Sequence, residues 1–218
     1  MKKLAAICLA LTIGGCDVPK VTQQPSDNHN RVATEGSSKQ VAARSGPFGF
    51  NMGQSIEGLS LEKLEKASFY IASSPPKSHP DIETVVIEAY PETGICQIRG
   101  VGRDISNDGD GLQVRQQVKD LAGALETKYG SRRLVNRCSG GDIQCRNDFW
   151  MMTLNDGERF YGYHWDKAKL ADKPGTMGEI TVAAAASNIN DSYPIVEYHS
   201  AKVRKCEKAR KSVSATSL

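Results

Sequence analysis

Apolar residues fall at Leu112, Val114, Val118, Leu121, Leu125 and Tyr129, and Gly130 follows directly. Intervals of three and four gather such residues on one side of an α-helix, and a glycine just past the last of them is a common helix stop. The spacing predicts an amphipathic helix of about five turns. A stripe of that length must be covered, so the rest of the chain has to supply a sheet or another helix to pack on it.

The flanking segments read mostly as strands. Phe69 to Ala72 and Glu83 to Tyr90 are β-prone, and Pro91-Glu92-Thr93-Gly94 forms a turn into Ile95 to Val101, which predicts an antiparallel hairpin. Beyond the long helix, Phe149 to Leu154 is ambiguous between helix and strand. Asp156-Gly157 then turns the chain into a strand from Glu158 to Trp165, and further strands are expected at Gly178 to Ala185 and Pro194 to Tyr198. Ser60 before Leu61 to Glu65 suggests an N-cap and a short helix, and Lys202 to Arg210 suggests a terminal one. The expected fold class is α+β, an antiparallel sheet packed against one long and one or two short helices.

The first residues bear on location. Met1-Lys2-Lys3 precedes an apolar run from Leu4 to Ile13, which is too short to span a bilayer and has the layout of a secretory leader. Ile13-Gly14-Gly15-Cys16 resembles the lipobox of bacterial lipoproteins. That resemblance implies cleavage after residue 15, acylation of Cys16 with palmitate-type chains, and durable membrane anchoring through more than one chain. In such lipoproteins an aspartate after the lipidated cysteine signals retention in the inner membrane, which assigns sorting to Asp17 and location to the periplasmic side. From Asp17 to Ser45 the chain has no Leu, Ile, Phe, Tyr or Trp, so residues 16–45 read as a flexible tether and 46–218 as a single α+β domain. The opening Gly49-Phe50-Asn51-Met52-Gly53-Gln54-Ser55 is similar to that of small envelope and prophage-encoded proteins of uncharacterised function, and it carries no activity with it.

Cysteine usage agrees with an oxidising compartment. With Cys8 in the leader and Cys16 acylated, Cys96, Cys138, Cys145 and Cys206 remain, and four cysteines allow three pairings. Ser139-Gly140-Gly141-Asp142 can turn tightly between Cys138 and Cys145, which favours that bridge and leaves Cys96 with Cys206. On the loop-entropy model the longer bridge contributes about 4 kcal/mol. A zinc site is the other use of four cysteines, but no close pair and no neighbouring histidine supports it.

Lys and Arg number 28 against 25 Asp and Glu, and loss of Lys2 and Lys3 with the leader leaves 26. A nearly neutral chain has no general electrostatic grip on nucleic acid. Lys202, Arg204, Lys205, Lys208, Arg210 and Lys211 cluster near the end, as expected of a solvated helix terminus or a patch for anionic groups.

Chemical motifs are sparse. Asp104, Ser106, Asp108 and Asp110 resemble the start of an EF-hand calcium loop, but Arg115 stands where the closing glutamate is required, so the segment reads as a turn feeding the long helix and no metal is assigned. His29 lies in the tether, His79 in a proline-flanked loop, and His164 and His199 near strand ends. Neither a nucleophile elbow nor a metalloprotease pair nor a phosphate loop is present, so no catalytic residue and no cofactor is assigned. Strand alternation puts Tyr161, Tyr163 and Trp165 on one face, either core or an exposed strip for protein contact. The expected function is a lipid-anchored, periplasm-facing domain that binds an envelope protein, of which immunity, exclusion or inhibition are forms. The rival is an envelope hydrolase acting on cell-wall material, assembled from distant residues such as His164 with Asp166. Alkylation of the unreduced protein followed by intact-mass measurement should label none of Cys96, Cys138, Cys145 and Cys206; labelling of all four rules the bridges out.

Overall fold

The computed structural model describes residues 46–65, 68–170 and 177–216. Residues 1–45, where the leader, Cys16, Asp17, His29 and the tether are expected, lie outside the described residues. One antiparallel sheet of eight strands organises the rest: β1 (Glu62–Lys63), β2 (Phe69–Ala72), β3 (Ile82–Tyr90), β4 (Gly94–Gly102), β5 (Arg133–Cys138), β6 (Arg159–Trp165), β7 (Met177–Ala186) and β8 (Ser192–Ser200). Their spatial order is β1-β2-β3-β4-β8-β7-β6-β5, so the last strand lies between the two halves of the sheet. The helices are α1 (Leu112–Tyr129), α2 (Trp150–Asn155), α3 (Lys167–Leu170) and α4 (Val203–Thr216). The α+β class and the antiparallel sheet agree with the sequence.

Helix α1 covers one face of β6, β7 and β8, with α2 beside it on β6 and β7. Its Val114, Val118, Leu121, Ala122 and Tyr129 are buried against Ile180, Val182, Val196 and Tyr198. Leu112 departs from the expected stripe and is 58% exposed. Two residues along a helix turn through about 200°, so Leu112 and Val114 cannot share a face. At the far end Gly130 takes φ +83°, and its carbonyl accepts a hydrogen bond from Trp165 Nε1 at 2.7 Å.

The start of α1 is fixed by Asp108, which is fully buried. Oδ1 accepts from the Gln113 amide at 2.8 Å, while Oδ2 accepts from the Val114 amide at 3.0 Å and from the Ser192 hydroxyl at 2.7 Å. The first turn of a helix leaves amide donors without partners, and this carboxylate satisfies two of them while tying the helix to β8. Gly111 completes the turn at φ +67°, where a Cβ would lie 2.0 Å from the Trp150 ring.

One local expectation is corrected, one ambiguity is resolved and one strand is added. The short helix over Leu61 to Glu65 is absent: Glu62 and Lys63 pair with Ile71 and Tyr70 as strand β1. Five residues are too few to nucleate a helix without packing, and the open edge of β2 offers them backbone partners instead. Phe149 to Leu154 is the end of a 3-10 turn followed by α2. Strand β5 was not foreseen: Arg133-Leu134-Val135-Asn136-Arg137-Cys138 has two adjacent apolar residues and little alternation, because it lies at the edge of the sheet and buries little.

Helix α4 packs on the opposite face of the sheet from α1. Both disulfides are present, Cys138 with Cys145 and Cys96 with Cys206. In the β3–β4 hairpin Glu88 pairs with Gln97 but Ala89 pairs with Ile95, leaving Cys96 as an extra residue. Such a bulge re-aims the side chain, and here the Cys96 sulfur is turned toward α4, where it is bridged to Cys206. Tyr90, Cys96, Cys206 and Ala209 form a small apolar cluster under the helix. Beside it Glu88, 1% exposed, receives Arg210 in a bidentate pair at 2.8 and 2.6 Å and a hydrogen bond from the Tyr90 hydroxyl. Burial pushes the Glu88 carboxyl up, yet Arg210 and Tyr90 outweigh it and hold it below the usual range. Burial and the Glu88 hydrogen bond push the Tyr90 phenol up to about 12.

Asp108→Ala should lower unfolding free energy by about 2 kcal/mol in urea titrations, since it strips two amides and a buried hydroxyl of their acceptor. Arg210→Met should cost about 3 kcal/mol near neutral pH by leaving Glu88 buried without its cation. Because the folded Glu88 value lies below the unfolded one, the wild-type contribution is complete above about pH 4.5 and is lost as pH falls through the folded value. Urea midpoints measured from about pH 7 down to about pH 3 should therefore show the deficit of Arg210→Met shrinking in acid.

Candidate functional site: the uncovered face of the sheet

Side chains alternate across a strand, so the residues between those buried under α1 must emerge on the other face. In β8 the buried series Pro194, Val196, Tyr198 and Ser200 alternates with the half-exposed series Tyr193, Ile195, Glu197 and His199. Helix α4 packs on β3 and β8, at one end of this second face. Strand register then lines up two rows across β5, β6, β7, β8 and β4.

The first row is polar and runs Arg133, His164, Thr181, Glu197, Arg99. Arg99 meets Glu197 at 2.5 Å, Gln97 donates to Glu197 at 3.1 Å, and His199 Nε2 lies 3.6 Å from the same carboxylate. Burial pushes the Glu197 carboxyl up, but the His199 hydrogen bond and the Arg99 charge together bring it below the usual range. The second row is apolar and runs Val135, Gly162, Ala183, Ile195, Val101. Gly162 keeps this row flat, because a Cβ there would lie 2.4 Å from the Val182 carbonyl oxygen. Phe160, with Arg137 stacked 5.7 Å above its ring, continues the surface toward the edge.

Arg133, Val135, Arg137, Phe160, His164, Glu179, Thr181 and Glu197 line a shallow, open depression here. Its histidine is not set up as a general base with an orienting carboxylate. Thr181 Oγ1 lies 3.4 Å and Glu179 Oε1 3.5 Å from the same ring nitrogen, Nδ1. A relay needs the hydroxyl on one nitrogen and the carboxylate on the other. What this face can do is present an apolar row beside a charged one, a layout that suits a protein contact.

The aromatic residues suggested for that role belong elsewhere. Tyr161, Tyr163 and Trp165 point into the core: Trp165 is fully buried, Tyr163 is 9% exposed, and Tyr161 packs edge-on against Trp150 and Tyr163. The outward-facing side chains of the same strand are Phe160 and His164, because α1 and α2 occupy the other side. Even Tyr163 is capped, by the Arg132 guanidinium 4.3 Å from its ring.

The calcium-like segment is used structurally. Asp108 is spent on α1 and Ser192, Asp110 accepts from the Leu112 amide at 3.1 Å, Asp104 accepts from Ser187 at 3.3 Å, and Ser106 is exposed. Among the described residues no cluster of three His, Cys, Asp or Glu is placed to hold a metal ion, and no helix is long and apolar enough to cross a membrane. The register of β5 was the missing clue to this face, since without that strand the rows have no outer edge. No family model, curated protein or solved structure matches the chain.

Proposed function

We propose that this protein is a lipid-anchored, periplasm-facing domain that binds an envelope protein through the uncovered face of its sheet and has no catalytic activity. The observation that carries the reading is the apolar row in which half-exposed Val135, Ile195 and Val101 flank the buried Ala183, beside a row of charge. A contact of this kind gains from excluding water over its apolar centre, while flanking charges select the partner and set its register. Acylation at Cys16, retention through Asp17 and the tether 16–45 would hold the domain near the bilayer and raise its effective concentration toward a partner there. The histidine geometry on the same face argues against the hydrolase reading.

Photo-crosslinking in cells tests this. A photoreactive residue at Ile195 or Phe160 should capture one predominant protein, one at the exposed Gln117 on the far side should not, and Cys16→Ser should abolish the capture. Capture from Gln117 alone would relocate the contact, and no capture from any position in a correctly localised protein would return the question to enzymatic assays on cell-wall material.

A further inference from the structure

Strand β5 ends the sheet and pairs only with β6, so among the described residues its other edge faces no strand. Such an edge exposes a row of backbone donors and acceptors, which proteins blunt by shortening the strand, bulging it, inserting proline or covering it. The opposite edge, β1, has only two residues. β5 has six, no proline and no glycine, and an unbroken register from Arg133 against His164 to Cys138 against Arg159.

Its ends are also held. Just before it, Arg132 donates to the Lys119 carbonyl at 3.1 Å and meets Glu126 at 3.6 Å. Just after it, Cys138 is bridged to Cys145 and the Ser139 amide donates to Glu158 at 2.8 Å. An edge already straight and fixed asks little ordering entropy of itself when another strand joins.

Charge chooses the occupant. Arg133 and Arg137 are both exposed on the open face, on either side of Val135, and among the described residues neither has a carboxylate within ion-pair distance. A second copy pairing antiparallel about Val135 would set Arg133 against Arg137 twice, and like charges directly opposite one another disfavour a pair. An incoming strand with carboxylates two residues either side of a β-branched residue would meet both arginines with opposite charge. Leu134, 52% exposed, and Asn136 would face its intervening side chains.

We propose that the free edge of β5 takes an extended acidic strand of a partner protein as a ninth strand, with carboxylates opposite Arg133 and Arg137. This rests on the protein-binding reading and names the chemistry of the partner.

The probe is a capped peptide, Thr-Glu-Thr-Val-Thr-Glu-Thr, added to the chain beginning at Asp17, which keeps every described residue. At peptide concentrations on the order of 5 mM, amide exchange in β5 should slow and exchange in β1 should not. N-methylation of one alternate set of peptide amides should abolish the effect and of the other set spare it, since only one set points at the edge. Arg133→Glu with Arg137→Glu should weaken binding at least about tenfold and accept the lysine-for-glutamate peptide instead. Should that pair unfold the domain, Arg133→Gln with Arg137→Gln replaces it and should still weaken binding. Equal binding of both N-methylated peptides, equal binding of acidic and basic peptides to wild type, or no protection of β5 overturns the proposal. If the arginine variants keep the partner captured at Ile195 in cells, this edge is not used although protein binding stands; loss of the Ile195 capture in wild type would strike the reading beneath it.

Discussion

A single buried carboxylate sets the frame on which the rest of this fold is hung. Asp108 accepts two backbone amides at the start of α1 and the hydroxyl of Ser192 at the start of β8, and the Asp108 amide in turn donates to the Asn190 carbonyl at 2.7 Å. The helix is thereby given both its first residue and its position along the sheet. From that origin Val114, Val118 and Leu121 reach β7 and β8 in register, and Tyr129 ends beside Tyr198 with ring centroids 6.4 Å apart. This carboxylate is buried, with both oxygens engaged by the helix start and Ser192, so a segment shaped like a cation loop serves here to fix a helix.

The two faces of the sheet follow from this placement. With α1 and α2 on one side, alternate residues of β6 to β8 point toward the helices and the residues between them point to the opposite face. Helix α4 covers part of that opposite face, held by a bridge to Cys96 and a charge pair to Glu88 rather than by a broad apolar stripe. Its buried side holds Cys206, Ala209 and, in part, Val213, so its five cations are compatible with a helix that is clasped at its end of the sheet and wet on its outer side.

Much of the architecture was legible in the residues because it rests on local periodicity. The β3–β4 hairpin, β2, β6, β7, β8 and α1 each carry a pattern that survives folding, and the short Cys138 to Cys145 spacing left the longer bridge by elimination. What was hidden depended on neighbours. β5 is recognisable only beside β6, since Leu134 and Val135 in succession mimic no strand period. The helix expected at Leu61 yielded to an edge that no local rule could foresee. Strand alternation did place Tyr161, Tyr163 and Trp165 together, but which face of β6 is inside is decided by α1, a segment thirty or more residues away. The open face was legible in none of its rows, because a row is made of five strands read crosswise and the sequence is read along one.

The strand order has a consequence for how the molecule is made. Strands β1 to β4 and β5 to β7 each pair among themselves, but the two groups meet only through β8. Residues 192–200 are thus the keystone of the sheet, and they arrive after nearly everything they must join. A chain emerging from its amino terminus would carry two half-sheets, each with a raw edge that β8 will later fill, until the keystone is available. Long-range pairings of this kind are slow to form, and unpaired edges in the interval invite the wrong partners. The Cys96 to Cys206 bridge, spanning 110 residues, uses a cysteine that lies beyond β8, so it can close only once the keystone strand has emerged.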